Sequence, residues 1–421
     1  MPSDCFAPRL RARGANTPIR WLAPILLTVQ TQAKKSALDK FTAGSVFVVF
    51  LLAFSSRTPL RAAESGVSPA PEVALLSTIK GCLRQNQQSA RCLDLVFRQF
   101  LTQQTAAQAL LLIQRYQEHD VELRLACHPV VHAIGRELFQ QVGTIHNAFS
   151  ACDQTCHSGC YHGVVERFLW GEASADGVPL HVSQALIQQK VAAACPSDAA
   201  PRLRFQCLHG LGHAVLYFNG DQLNAALELC DQLPDAWSRR SCYGGVFMEN
   251  VTGASPEKRL VSAIDYHYPC NQVAPAYRRD CYLMQTSRMI EMGLPLEALF
   301  AECGRAESFR DECIQSIGRD LSNEARVYGP RQAASQCELA SGTDRQACLR
   351  GVVYALVDNT WDERYALPFC ATLGDPSDVS YCFTVGTSYL NQMFEHNAAQ
   401  VASECRRHLV EPSFCIVTMP H

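Results

Sequence analysis

Cysteine spacing constrains this chain more than any other feature. A cysteine recurs at Cys92, Cys127, Cys160, Cys207, Cys242, Cys281, Cys313, Cys348, Cys382 and Cys415, in steps of 35, 33, 47, 35, 39, 32, 35, 34 and 33 residues. A second cysteine stands 8–12 residues upstream in nine of these ten cases, at Cys82, Cys152, Cys195, Cys230, Cys270, Cys303, Cys337, Cys370 and Cys405. A period near 34 is that of a two-helix repeat, which buries its apolar faces only by stacking on its neighbours. Ten units then cover about residues 72–421, and an insertion near Trp170–His181 absorbs the 47-residue step.

Each unit reads as helix, turn, helix. In the unit that starts at Gly329, Pro330 suits a first helical turn, and Gly342 and Asp344 suit a C′ position and an N-cap. The upstream cysteine then ends the first helix and the downstream one sits in the first turn of the second. A disulfide there ties two antiparallel helices beside their turn, and a closed loop of about 10 residues stabilises by roughly 2–3 kcal/mol in the chain-entropy view. Local pairing gives Cys82–Cys92, Cys152–Cys160, Cys195–Cys207, Cys230–Cys242, Cys270–Cys281, Cys303–Cys313, Cys337–Cys348, Cys370–Cys382 and Cys405–Cys415. The second unit lacks its upstream cysteine and the third has an extra one, so Cys127 and Cys156 are expected to join each other. Two further marks keep the register. Arg124, Arg204, Arg239, Arg278, Arg310 and Arg345 stand three residues before the downstream cysteine, placed to pair with an acid or carbonyl of the neighbouring unit. Gly163, Gly210, Gly245 and Gly351 stand three residues after it, where a helical glycine points to close helix packing.

In its period, its helix hairpin and its one cysteine pair per unit, the chain resembles secreted, cysteine-rich tandem-repeat proteins of the Sel1-like class, relatives of the tetratricopeptide repeats. The resemblance covers about 350 residues. It carries no active site over, and the units themselves predict an all-α solenoid of ten disulfide-stapled hairpins, open or closed into a ring.

The N-terminal segment sets the expected compartment. Residues 1–40 hold seven Lys or Arg and two acids, and the uncharged run Ala43–Phe54 follows. A basic stretch, a short apolar core and the small residues around Ala53 and Ser55 form a secretory signal over residues 1–56, or a signal anchor if uncleaved. The basic stretch begins late, and a start at Val29 would account for that. Residues 57–71 read as a linker. Cleavage leaves 30 basic and 38 acidic residues, a net −8, and 20 cysteines. An even cysteine count in an exported chain reads as disulfides, with a periplasmic or extracellular destination. The full chain carries net charge −3 with 48% hydrophobic residues, which excludes a broad basic face for nucleic acid and a mostly disordered chain. Membrane contact is expected only through an uncleaved anchor. Asn250-Val251-Thr252 fits a glycosylation sequon by pattern.

Chemistry concentrates in the units at about 105–220. Three of them carry ligand-type pairs four residues apart: His128/His132, His162/Glu166 and His209/His213. On a helix each pair shares one face, a turn apart. The last two occupy the same repeat positions, two and six residues after the cysteine. Stacked helices would bring these faces together. The expected nucleus of a metal site is His162, Glu166, His209 and His213, with His128 and His132 completing it or building a second. Glu166 is a candidate ligand or catalytic base. An imidazole-rich set without thiolate suits copper, iron or zinc. The competing reading of the same residues is a buried, hydrogen-bonded polar cluster. Tyr161, Tyr243 and Glu249 are secondary candidates, read mostly as packing or surface residues. Cys152-Asp-Gln-Thr-Cys156-His157 also has the layout of a rare covalent haem attachment, and Cys152, Cys156, Cys160 and a histidine that of a zinc knuckle. The sequence therefore points to an exported metal-binding repeat protein, as a metal-dependent oxidoreductase or hydrolase or without catalysis. The alternative is a scaffold whose repeat face binds a peptide or protein partner. Neither substrate nor partner is named by the residues.

Overall fold

The computed structural model of the chain describes residues 69–85, 89–171, 184–253, 259–394 and 398–408, all within one compact unit. The signal segment, linker residues 57–68, the body of the insertion (172–183) and Cys415, with its pairing to Cys405, lie outside the described residues. Among the described residues all regular secondary structure is helical. Residues 69–71, placed in the linker by composition, instead open the helix Pro69–Leu83. A proline loses nothing in the first turn, and Glu72 sits at the positive end of the helix.

Nine long helices follow, one per unit: α1 (Ser89–Phe100), α2 (Cys127–Val142), α3 (Thr155–Trp170), α4 (Pro201–Phe218), α5 (Ala236–Thr252), α6 (Pro275–Glu291), α7 (Arg310–Val327), α8 (Gly342–Thr360) and α9 (Pro376–Phe394). The helix ahead of each is mostly short, as in Ile145–Phe149, Leu223–Cys230 and Pro330–Cys337. The sixth unit replaces it with turns around Cys270. The long helices start about a turn earlier than the cysteine pattern implies, so Cys207, Cys242, Cys281, Cys348 and Cys382 sit in the second turn rather than the first. Local capping explains the shift. Pro201 and Pro275 open α4 and α6, and the Asp235 side chain caps α5 by accepting from the Ser238 N–H at 2.8 Å. In α8 the N-cap is Ser341, not Asp344. Gly342 opens the helix at φ 57°, and Asp344 in the first turn accepts from Arg310 of the preceding unit.

Nine disulfides form among the described residues. Eight are local: Cys82–Cys92, Cys152–Cys160, Cys195–Cys207, Cys230–Cys242, Cys270–Cys281, Cys303–Cys313, Cys337–Cys348 and Cys370–Cys382. The ninth is Cys127–Cys156, which crosses from one unit to the next. The six register arginines make two kinds of contact. Arg204, Arg310 and Arg345 reach Asp235, Asp344 and Asp378 in the next unit. Arg124, Arg239 and Arg278 donate to carbonyls of their own unit, at Gln117, Leu233 and Val273, and Arg345 does both, donating also to the Ala340 carbonyl at 2.9 Å. The latter turns expose a carbonyl that a guanidinium from the following helix can reach, so no neighbour is needed.

The long helices pack in chain order, each on the next, and the row turns back so that α8 meets α3 and α9 meets α4. Tyr161 of α3 and Trp361 at the end of α8 close this contact with ring centroids 5.4 Å apart. Glycines set the spacing between neighbours. A Cβ on Gly163 would lie 1.9 Å from the His132 carbonyl oxygen, one on Gly245 1.9 Å from that of His209, and one on Gly351 2.0 Å from that of Gln315. These are backbone clashes that no rotamer relieves. Gly163→Ala is therefore expected to destabilise by about 3 kcal/mol or more. Gly81→Ala, in a helix with open space around that position, should be neutral or stabilise by about 0.5–1 kcal/mol. Urea unfolding of both variants checks the pair, and equal effects would contradict close packing as the reason for the glycines. Asn250 is 2% exposed, and its side chain both donates to and accepts from the backbone of Leu260. Its sequon is thus closed to a sugar in the folded chain.

Candidate metal centre

Because α2, α3 and α4 stack at glycine-set distances, the histidines they carry face a common space. The ligand nitrogens of His128, His132, His162 and His213 lie within 4.8 Å of one another. Three of these rings are buried and His128 is half-buried. Two come from α2, one from α3 and one from α4, rather than two from each of two helices. The one-residue offset of the pair on α2 accounts for this, since it rotates both of its rings into the shared space.

The hydrogen bonds behind each ring fix which nitrogen faces inward. His128 Nδ1 donates to the Cys156 carbonyl at 2.8 Å, since a carbonyl only accepts. His132 Nδ1 meets Glu166 Oε1 at 2.6 Å, and His213 Nδ1 meets Glu249 Oε2 at 2.8 Å. A neutral ring that donates through Nδ1 keeps a lone pair on Nε2. His162 is held the other way round, its Nε2 facing Gln206 Oε1 at 3.0 Å, which leaves Nδ1 inward. Inside the ring of four, His128 Nε2 lies 3.0 Å from His132 Nε2 and 3.4 Å from His162 Nδ1. His213 Nε2 is buried without a hydrogen-bond partner. Burial, and then the neighbouring histidines, push His128 and His162 well below the usual imidazole range. With each ring neutral, four lone pairs converge on one space, a donor set that fits a cation, and His213 Nε2 has no other partner there. A self-satisfied polar cluster would need protons on some of these atoms and a partner for His213 Nε2.

Glu166 and His209 stand outside the four. Both Glu166 oxygens are engaged, one by His132 and the other by Arg136 at 2.7 Å. Burial raises the Glu166 carboxyl, but His132 and Arg136 outweigh it and hold the group at about 2. It is an anionic acceptor that orients His132, and it stands behind the four converging nitrogens rather than among them. His209 bonds to the Ser241 backbone, and its ring lies 5.1 Å from those of His162 and His213. Carboxylates that accept from the far nitrogen of a ligating histidine fix its tautomer and raise its basicity. Glu249, a secondary candidate from the sequence read mostly as a packing or surface residue, does this for His213. A signal for it existed: Glu249 follows His213 by 36 residues and Glu166 follows His132 by 34, each an acid one repeat downstream of a histidine.

Behind Glu166 a buried ionic network anchors the set. Arg136 forks between Glu166 and Asp94, and Arg167 bonds to Glu137, which also accepts from Arg98. Both Arg136 and Arg167 lie over the Trp170 ring. The front of the site opens on a cleft lined by His128, His132, Glu166, Trp170, Tyr217 and Glu249 among others. Cys152, Cys156 and Cys160 are all in disulfides, so neither a haem attachment nor a zinc knuckle has thiols there. No protein-family model, no curated protein and no solved structure matches the chain.

Proposed function

We propose that the protein is an exported metalloprotein that holds one transition-metal ion among His128, His132, His162 and His213, with the cleft giving a small molecule access to it. The observation that carries this reading is the convergence of four imidazole nitrogens whose opposite nitrogens are all tied to acceptors. Copper, iron and zinc all accept such a set, and no thiolate narrows the choice. Export is supported by the signal-like segment before Ser55 and by nine disulfides, which persist in oxidising compartments. No helix among the described residues is long and apolar enough to cross a membrane. The cleft beside the ion favours chemistry on a bound molecule, oxidation or hydrolysis, over a closed structural site. The test is elemental analysis of protein purified from an oxidising compartment, together with titration by copper, iron and zinc salts. One ion per chain is expected. A protein that carries none and gains none at micromolar metal would fall to the scaffold reading, in which the repeat face binds a protein or peptide.

A further inference from the structure

We infer that the Cys127–Cys156 disulfide is a positioning device for the metal site rather than a staple of the fold, and that its formation must precede tight metal binding. The inference rests on the metal reading above. Four observations carry it. This disulfide spans 29 residues and links two units, whereas the other eight span 8–12 within a unit. Cys127 directly precedes His128, and the Cys156 carbonyl is the acceptor that sets the His128 tautomer. The chain at Cys156, His157 and Ser158 is left-handed, with φ of 53°, 57° and 62°. Finally, Gly159, just after this turn, rests on the pair of ligands from α2: a Cβ there would lie 3.0 Å from the His128 carbonyl oxygen and 3.0 Å from His132 Cδ2.

A left-handed conformation is costly for a non-glycine residue, and three in succession do not hold themselves. The surroundings must impose them. The sulfur link at Cys156 ties the turn to the first residue of α2, next to the ligand that the turn's carbonyl orients. Without it, the turn can relax toward right-handed backbone, and the Cys156 carbonyl swings away from His128 Nδ1. The second unit lacks a staple of its own, because its cysteine holds the site instead. The step that completes the site is thiol–disulfide exchange. The Cys127 and Cys156 thiols give up two protons and two electrons to a disulfide oxidant, which leaves as two thiols while the Cys127–Cys156 bond forms. Metal loading follows this oxidation.

The test compares three variants of the full chain, each loaded with the metal that the wild type takes up. C127A/C156A is expected to keep its helical circular dichroism and to lose about 10–100-fold in metal affinity, the range for loss of a group that supports a ligating histidine. C127A/C156G should recover part of that loss, because glycine adopts the left-handed conformation freely. C370A/C382A, which removes a local staple remote from the site, should lower thermal stability and leave affinity within about twofold of wild type. Affinity is read by competition with a chromophoric chelator. Wild-type affinity in C127A/C156A would overturn the inference, as would equal losses in all three variants. If C127A/C156A does not fold, the ranking of C127A/C156G against C370A/C382A decides alone: weaker affinity in the former supports the inference and equal affinity rejects it. A wild type that takes up no metal refutes the metal reading itself, a result distinct from each of these.

Discussion

Replacing His132 or His213 with alanine is expected to leave the purified protein without stoichiometric metal, while His209→Ala keeps it. Each of the first two removes one of four converging nitrogens. It also strands a carboxylate, Glu166 or Glu249, that was aligned by the lost ring. The affinity loss should exceed the roughly 10–100-fold typical of a supporting group. His209 offers no nitrogen to the four, so its loss should change affinity by less than about tenfold. Helicity should survive in all three, because the local disulfides hold each hairpin independently of the site. Elemental analysis after dialysis, with circular dichroism on the same samples, reads the result. Retained metal in His132→Ala or His213→Ala sinks the four-histidine set. Lost metal in His209→Ala would restore the two-helix nucleus of His162, Glu166, His209 and His213.

The plan of the fold was legible because cysteine, arginine and glycine each recur at a fixed offset in a period near 34, and each recurrence has a local cause. A pair such as Cys337 and Cys348 needs only one turn between two helices to meet, so its pairing follows from spacing. Even Cys127–Cys156 follows by elimination. Helix starts were less legible. Asp344 looks like an N-cap, yet Arg310, 34 residues upstream, claims its carboxylate, and Ser341 takes the cap position. The turning of the row that brings α8 onto α3 leaves no periodic trace, because it depends on small rotations summed over several units.

At the site, the sequence named all four histidines but grouped them by repeat position. His209 and His213 look equivalent in the sequence, since both lie on one face of α4. Only the glycine-set approach of α2 and α3 decides that the space is centred on His213. The residues behind the ligands were harder still. Gln206 and the Cys156 carbonyl act through one hydrogen bond each and have no spacing signature. Arg136, Asp94 and Arg167 look like ordinary surface charges until the packing buries them. Glutamates one repeat after a histidine were the exception, visible in hindsight as a pair.

Arg136 is where a single substitution should reach both the fold and the site. It is 4% exposed and lies between two buried carboxylates, donating to Asp94 at 2.8 Å and to Glu166 at 2.7 Å. Arg136→Met fills similar volume but leaves both carboxylates without their shared cation. Breaking such a buried pair costs about 3–5 kcal/mol, because the uncompensated charge remains. The pH dependence identifies the cause. In the wild type Glu166 is held at about 2, below its unfolded value, so its contribution is present at neutral pH and fades as pH falls through about 4.5 toward 2. In the variant burial raises both carboxyls, as it already raises Asp94 against the pull of Arg136. The penalty is then greatest at neutral pH and shrinks in acid, as the raised carboxyls of the folded variant take up protons. Urea unfolding of metal-free protein at pH 7 and near pH 4 measures the gap between variant and wild type. A gap that narrows in acid marks the charge imbalance, and one of equal size at both pH values would mean that Arg136 acts through packing alone. Arg136→Lys should fall between the two, since one ammonium cannot fork to Asp94 and Glu166 as the guanidinium does.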